Sequence, residues 1–189
     1  MRIRSLWVPF VAVSLLFACT SPTVGGSVVR VEDRPLPELS GPGLHGESLS
    51  AAEERGHVLV VSVWATWCYD CERDMPGFAD VARRYASRGV RFLGVNPGDN
   101  AAQASEWVRH YRVPYPSISD PSQRFAASLG YAGMPATYVV DRDGTIRFSV
   151  IGSTTSEETL SGLIEQVLAG ASPGQTSASM AIAANSAPR

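Results

Sequence analysis

The chain has 189 residues, 44% of them hydrophobic, a size and composition that suit one globular domain with short appendages. Its formal net charge of −2 gives no electrostatic reason to expect nucleic-acid binding. All 16 basic residues are arginine, which excludes chemistry that depends on a lysine. The cysteines number three, and the first of them lies in a segment unlike the rest of the chain.

The first segment has the pattern of a secretory leader. A basic start at Met1–Arg4 precedes an apolar run, Leu6–Phe17, that is too short to span a bilayer, so we predict a signal peptide over residues 1–18. The run ends in Leu16-Phe17-Ala18-Cys19, which resembles a bacterial lipobox and implies that Cys19 carries lipid. An ordinary cleaved signal and an uncleaved anchor with a buried Cys19 thiol are the alternatives. Each of the three places the domain outside the cytoplasm, where disulfides persist.

The rest of the chain divides by composition. Residues 19–33 are rich in Ser, Gly and Val and predict a tether, residues 34–170 predict the folded domain, and residues 171–189 predict a disordered tail. At the start of the domain, Pro35–Ser50 has the weak apolar alternation of a hairpin or extended arm. Ala51–Gly56 then predicts a short helical turn.

The centre of the domain predicts a strand, a helix and a second strand. Val58–Trp64 is an apolar, β-branched run typical of a buried parallel strand. A helical pattern follows from about Cys68 to Ser87, and Pro76 inside it removes a backbone donor, so we expect a kink. Val90–Val95 predicts the second strand, parallel to the first across a right-handed connection.

The second half adds strands and helices that complete an α/β fold. Asp143-Gly144 is a strong signal for a hairpin between the last two strands. The expected elements are a helix over Ala101–Arg112, a proline-punctuated loop over Pro114–Pro121, a short helix over Ser122–Leu129, strands over Ala136–Val140 and Thr145–Ile151, and a last helix over Ser156–Leu168.

Cys68 and Cys71 lie where the first of these strands passes into a helix. A helix N-terminus carries partial positive charge and unpaired N–H groups, which favour a thiolate, and the spacing allows a disulfide. We therefore predict a dithiol redox site. A structural disulfide or half of a zinc site are the alternatives, although zinc needs further ligands and His45, His57 and His110 are scattered.

Several motifs around this pair resemble the thioredoxin superfamily, and most closely its extracytoplasmic TlpA/ResA-like thiol-disulfide oxidoreductases. The resemblance covers about Arg34 to Gly170 and implies a central mixed sheet flanked by helices, an N-terminal extension and a helical insertion before the cis-proline strand. The matching features are Trp64-Ala-Thr-Trp67 before Cys68-Tyr-Asp-Cys71, then Pro76, Gly133-Met-Pro-Ala-Thr137 and the late hairpin Asp141–Ile146.

The resemblance assigns roles near the disulfide. Cys68 is the expected nucleophile and Cys71 the deeper, resolving thiol. Trp67 is expected to pack beside Cys68 and shield it. Pro135 matches the superfamily's cis-proline, which faces the cysteines and offers the Met134 backbone to an extended partner segment.

Acidic and polar residues are expected to tune the pair. Tyr69 and Asp70 lie between the sulfurs, and negative charge at Asp70 disfavours a thiolate, which favours the disulfide and a reductant. Asp74 falls where ResA-like proteins carry a Glu that helps proton transfer, or else is a solvated carboxylate of the first turn. Ser62 replaces the buried Asp of thioredoxins proper, and a hydroxyl cannot serve as that base.

The resemblance also implies partners. The substrates would be disulfides of extracytoplasmic proteins, with apocytochrome c maturation one setting, and the electron donor a membrane thiol carrier of the DsbD/CcdA kind. No cofactor beyond the disulfide, no metal and no nucleic acid is expected, and the chain is expected to be a monomer. Two other functions remain open. One is a peroxiredoxin-like peroxidase, and the other is a copper-handling module that uses Cys68, Cys71 and Met134 as soft ligands.

Overall fold

The computed structural model describes residues 23–24, 27–152 and 156–170. The predicted signal peptide, the predicted lipidation site Cys19 and the predicted tail over 171–189 lie outside the described residues. Within the described ranges, no helix has the length and apolar character needed to cross a membrane.

The described chain forms a central mixed sheet flanked by helices, as predicted. The strands are β1 Thr23–Val24, β2 Ser27–Pro35, β3 Ser40–Pro42, β4 Ser48–Ser50, β5 Val58–Val63, β6 Val90–Pro97, β7 Ser117–Asp120, β8 Ala136–Val140 and β9 Thr145–Ile151. Seven of them pair in the order β1-β2-β9-β8-β5-β6-β7, and β3 and β4 form a separate hairpin. The α-helices are α1 Tyr69–Tyr85, α2 Ala101–His110, α3 Arg124–Ser128 and α4 Glu157–Leu168.

Strand β5 is the centre of the sheet. All six of its residues are buried, which is what a continuous β-branched run predicts for a strand covered on both faces. It pairs in parallel with β6 and antiparallel with β8. Because side chains alternate along a strand, Val58 and Val60 pack in the cluster that contains α1 and α4, whereas Leu59 and Val61 pack with α3 and the N-terminal arm.

Two predictions about chain organisation were wrong. The predicted tether over 19–33 was wrong for its last residues, because Ser27–Pro35 forms β2 and pairs antiparallel with β9. The predicted loop over Pro114–Pro121 contains β7, Ser117–Asp120, which pairs in parallel with the end of β6. The insertion between β6 and β8 therefore contains a short edge strand between its two helices.

The predicted helices are confirmed, with small changes at their ends. Helix α1 contains Pro76 and continues into a 3₁₀ turn, Ala86–Arg88, before Gly89 ends it in the left-handed region. Ser156, the predicted first residue of α4, is instead its N-cap and accepts a hydrogen bond from the Thr159 amide.

Strand β6 requires a glycine opposite β7. Gly94 pairs with Ser117, whose Oγ accepts a 3.2 Å hydrogen bond from Trp64 Nε1 across the strand. A methyl group at residue 94 would lie against Ser117 and 2.7 Å from Trp64 Nε1, closer than side chains in proteins approach. The close packing of these three residues therefore depends on the absence of a side chain.

We predict that Gly94→Ala lowers the free energy of unfolding by about 1–3 kcal/mol, because the added methyl group overpacks the buried Trp64–Ser117 contact. Gly162→Ala is the matched control, because nothing within 4 Å meets a methyl group there and α4 gains helix propensity. Urea denaturation measures both variants. Equal stability of the two would contradict this description of the sheet.

Candidate functional site

The register of the sheet brings two distant segments together. Val63, the last residue of β5, pairs with Ala136, the first residue of β8, because these strands are antiparallel. The segment that follows β5 and the segment that precedes β8 therefore leave the sheet at the same edge. Cys68 lies on the first and Pro135 on the second, and the Met134–Pro135 peptide bond is cis, as predicted.

The two cysteines form a disulfide at the N-terminus of α1. The S–S distance is 2.02 Å and the Cα atoms are 5.2 Å apart. Cys68 is the N-cap of the helix, and its Sγ accepts a 3.2 Å hydrogen bond from the Cys71 backbone N–H. Cys68 is 7% exposed and Cys71 2% exposed, so Cys71 is the deeper sulfur, as predicted.

Cys68 lies in an open groove of 310 Å³. Trp67 and Tyr69 lie on either side of it in the sequence and are 65% and 76% exposed, which is unusual for large aromatic side chains. Trp67 lines the same groove as Cys68, and that it shields the sulfur stays a prediction. The groove is lined by Trp67, Cys68, Tyr69, Asp70, Tyr131, Gly133 and Met134.

A second, much smaller cavity of 10 Å³ lies on the other side of the disulfide. Cys71, Asp74, Ser62 and Pro135 all line it, so the deeper sulfur and the Asp74 side chain, which is 10% exposed, face the same space. The Tyr115 hydroxyl hydrogen-bonds to Met75 Sδ at 3.4 Å and to Ser62, and burial raises the pKa of Tyr115 far above its ordinary value. Tyr115 therefore stays protonated, and Asp74 is the carboxylate among the residues that line the cavity.

Arg73 changes the electrostatics predicted for the dipeptide between the sulfurs. Its Nη1 lies 3.1 Å from Asp70 Oδ1, and its Nε lies 3.4 Å from Asp74 Oδ1. Because an exposed pair of opposite charges is largely screened, Asp70 has a weaker effect on the sulfurs than its sequence position alone predicts.

The sequence interpretation missed a polar network behind the Trp64–Trp67 loop. It consists of Thr66, Asn96 and Asp99, and Asn96 and Asp99 are buried although they lie in the segment that closes β6 and leads to α2. Polar side chains at the carboxyl end of a parallel strand next to β5 were the available signal, since such ends meet at one edge of a sheet.

Among the residues that the structure describes, no three His, Cys, Asp or Glu side chains come together in a way that could hold a metal ion. Met134, a ligand in the copper alternative, lines the groove with Cys68, while Cys71 lines the smaller cavity.

Comparison with known proteins places this geometry in a family. Residues 33–149 match the model of the AhpC/TSA family. The thiol:disulfide interchange protein DsbE of Pseudomonas fluorescens biotype C is 34% identical over 125 residues, which cover 65% of this chain and 68% of that protein. The thiol-disulfide oxidoreductase ResA of Bacillus thuringiensis (strain Al Hakam) is 24% identical over 124 residues, covering 66% and 71%.

A solved structure agrees with these relatives. A secreted thiol-disulfide isomerase from Corynebacterium glutamicum superposes with a TM-score of 0.67 at 25% identity, covering 80% of this chain and 97% of that one. The sequence, the fold and the Cys68–Cys71 disulfide thus agree in indicating one family. The chain belongs to the AhpC/TSA family and is a thiol-disulfide oxidoreductase with the thioredoxin-like fold of the DsbE and ResA proteins.

Proposed function

We propose that this protein reduces disulfides of other proteins outside the cytoplasm, using Cys68 and Cys71. The observation that carries the proposal is the position of the disulfide: it caps α1 and opens into a groove lined by exposed aromatic side chains and Met134. In this proposal the reduced Cys68–Cys71 dithiol carries the two electrons, and no bound cofactor takes part.

The reaction has two exchange steps. In the reduced protein, the Cys68 thiolate attacks a sulfur of the partner's disulfide, which forms a mixed disulfide and releases one partner thiolate that takes up a proton. Cys71 then loses its proton to Asp74 across the small cavity that both line. Its thiolate attacks the Cys68 sulfur, the Cys68–Cys71 disulfide forms, and the second partner sulfur leaves with the electron pair as a thiolate, which takes up the proton from Asp74.

The groove is suited to an extended, apolar segment around the partner's cysteine. Trp67 and Tyr69 offer exposed aromatic faces, and Met134 and Tyr131 lie across the groove. Apolar surface of this kind, concentrated around the outer sulfur, favours contact with an unfolded or extended polypeptide over a small hydrophilic thiol.

The acidic surroundings favour a reductant. Asp74 faces Cys71, and Asp99 lies behind the preceding loop. Asp70 and Glu72 lie in the first turn of α1, where the ion pair with Arg73 weakens the contribution of Asp70. Negative charge disfavours a thiolate and so opposes the helix dipole, which moves the equilibrium toward the disulfide and away from a strong oxidant.

The cellular setting follows from the N-terminal sequence and the relatives. Lipid at Cys19 would hold the domain at the membrane surface, where a thiol carrier of the DsbD/CcdA kind could re-reduce it. The DsbE relatives make apocytochrome c maturation a compatible destination for the electrons. In this proposal the active form is a monomer.

We predict that Cys68→Ser loses reduction of insulin disulfides down to the level of the thiol reductant alone, because no sulfur remains to attack. Cys71→Ser keeps the attack but cannot release the partner, so it accumulates a mixed disulfide that non-reducing electrophoresis detects. Cys19→Ser is the matched control and keeps full activity, since it removes a cysteine outside the redox pair.

Undiminished reduction by Cys68→Ser would end the proposal. The same preparations should be given hydrogen peroxide with and without a thiol donor. Peroxide consumption that depends on Cys68 and exceeds insulin reduction in rate would support the peroxidase alternative instead.

We predict that wild-type protein expressed from its full-length gene fractionates with the membrane, and that Cys19→Ser moves it to the soluble extracytoplasmic fraction, because one cysteine carries the lipid. Immunoblots of the separated fractions measure the distribution. Soluble wild-type protein, or membrane association unchanged in Cys19→Ser, would contradict lipid anchoring at that residue.

A further inference from the structure

A buried carboxylate holds the loop that leads to the redox pair. Asp99 is 8% exposed and lies in the segment between β6 and α2. Its Oδ2 accepts a 2.7 Å hydrogen bond from the Thr66 backbone N–H, and its Oδ1 lies 3.0 Å from the Thr66 hydroxyl. One side chain of the β6 segment thus holds both the backbone and the side chain of a residue two positions before Cys68.

Asn96 extends this contact to the start of the same loop. Its Nδ2 donates to Asp99 Oδ2 at 2.8 Å and to the Trp64 carbonyl oxygen at 3.1 Å. The Trp64 backbone N–H in turn donates to the Val95 carbonyl at 3.1 Å. The loop is therefore hydrogen-bonded to the β6 segment at Trp64 and again at Thr66.

This loop contains a turn that ends at Cys68. The Cys68 backbone N–H donates to the Ala65 carbonyl oxygen at 3.1 Å, which closes a tight turn over Ala65–Cys68 with Thr66 at its second position. Any movement of Thr66 changes this turn, and with it the direction in which Trp67 and Cys68 leave the sheet.

None of these hydrogen-bond partners of Asp99 carries a positive charge. The backbone amide, the hydroxyl and the Asn96 amide are neutral donors, which suit an ionised carboxylate because it can only accept. Helix α2 begins at Ala101, so its N-terminus also favours negative charge here. These donors and the α2 N-terminus offset the free-energy cost of burying the carboxylate, and its negative charge remains beside the loop.

We propose that Asp99 is a positioning residue for the redox pair: through Thr66 it fixes the turn that presents Cys68, and its charge biases the pair toward the disulfide. Two residues of chain span at most about 7 Å, so the carboxylate lies within about 10 Å of the Cys68 segment. At that distance a negative charge disfavours a thiolate. The inference rests on the proposed function, because it concerns the same dithiol.

The test compares Asp99→Asn with Asp141→Asn. Asp141 is the matched control, because it also accepts three hydrogen bonds, from the Asp143 and Thr145 amides and from Arg147, but at the far end of β8. Two quantities are measured at a temperature where circular dichroism shows every variant folded. They are the dithiol–disulfide equilibrium constant against a dithiothreitol redox buffer and the rate of insulin reduction.

Asp99→Asn is expected to move the equilibrium constant about threefold to tenfold toward the dithiol and to slow insulin reduction, whereas Asp141→Asn leaves both at the wild-type value. Equal constants in all three proteins, or a shift toward the disulfide, would overturn the inference, even if Asp99→Asn lowers stability. A wild type that reduces no insulin would instead count against the proposed function, while the equilibrium constants still report on Asp99.

If Asp99→Asn does not fold, two variants of Thr66 test the inference instead. Thr66→Val keeps the shape of the side chain and removes the hydroxyl that faces Asp99, whereas Thr66→Ser keeps both hydrogen bonds. Slower insulin reduction by Thr66→Val than by Thr66→Ser supports the positioning role, and equal rates overturn it.

Discussion

The backbone pairing of Val63 with Ala136 is the constraint on which the site depends. It joins the end of one central strand to the start of its antiparallel neighbour, and so sets the segment that contains Cys68 beside the segment that contains Met134 and Pro135. Neither segment could meet the other through local structure, since they are far apart in sequence. The disulfide, the groove and the cis peptide bond are brought to one edge by the hydrogen bonds of the sheet.

Around this edge, opposing electrostatic effects act on the same two sulfurs. The N-terminus of α1 and the Cys71 N–H favour a thiolate at Cys68, because both present positive partial charge to its Sγ. In our proposal the carboxylates of Asp74 and Asp99 disfavour this thiolate, one from the cavity beside Cys71 and one from behind the loop at Thr66. The proposed redox behaviour is the balance of these contributions, so the residue pair between the cysteines does not decide it alone.

The sequence was sufficient for the elements whose signal is local. The apolar run of β5 and the helical period of α1 each carry their own pattern. Strand β7 was missed because it has four residues at the edge of the sheet between prolines, and β2 was read as a tether because its order depends on pairing with β9. The network of Asp99 with Thr66 was missed because its partners meet only after β5 and β6 have paired, and the polar side chains at the end of β6 were the signal that could have indicated it.

The equilibrium reduction potential of the Cys68–Cys71 pair tests the central claim most directly. It can be measured on the wild-type domain by equilibration in thiol redox buffers, with the two redox forms separated after alkylation. A protein-disulfide reductase is expected near the thioredoxin value of about −270 mV. A value near about −120 mV would make the protein an oxidant, and a pair that stays oxidised under all reducing buffers would make the disulfide structural; either result would contradict the account.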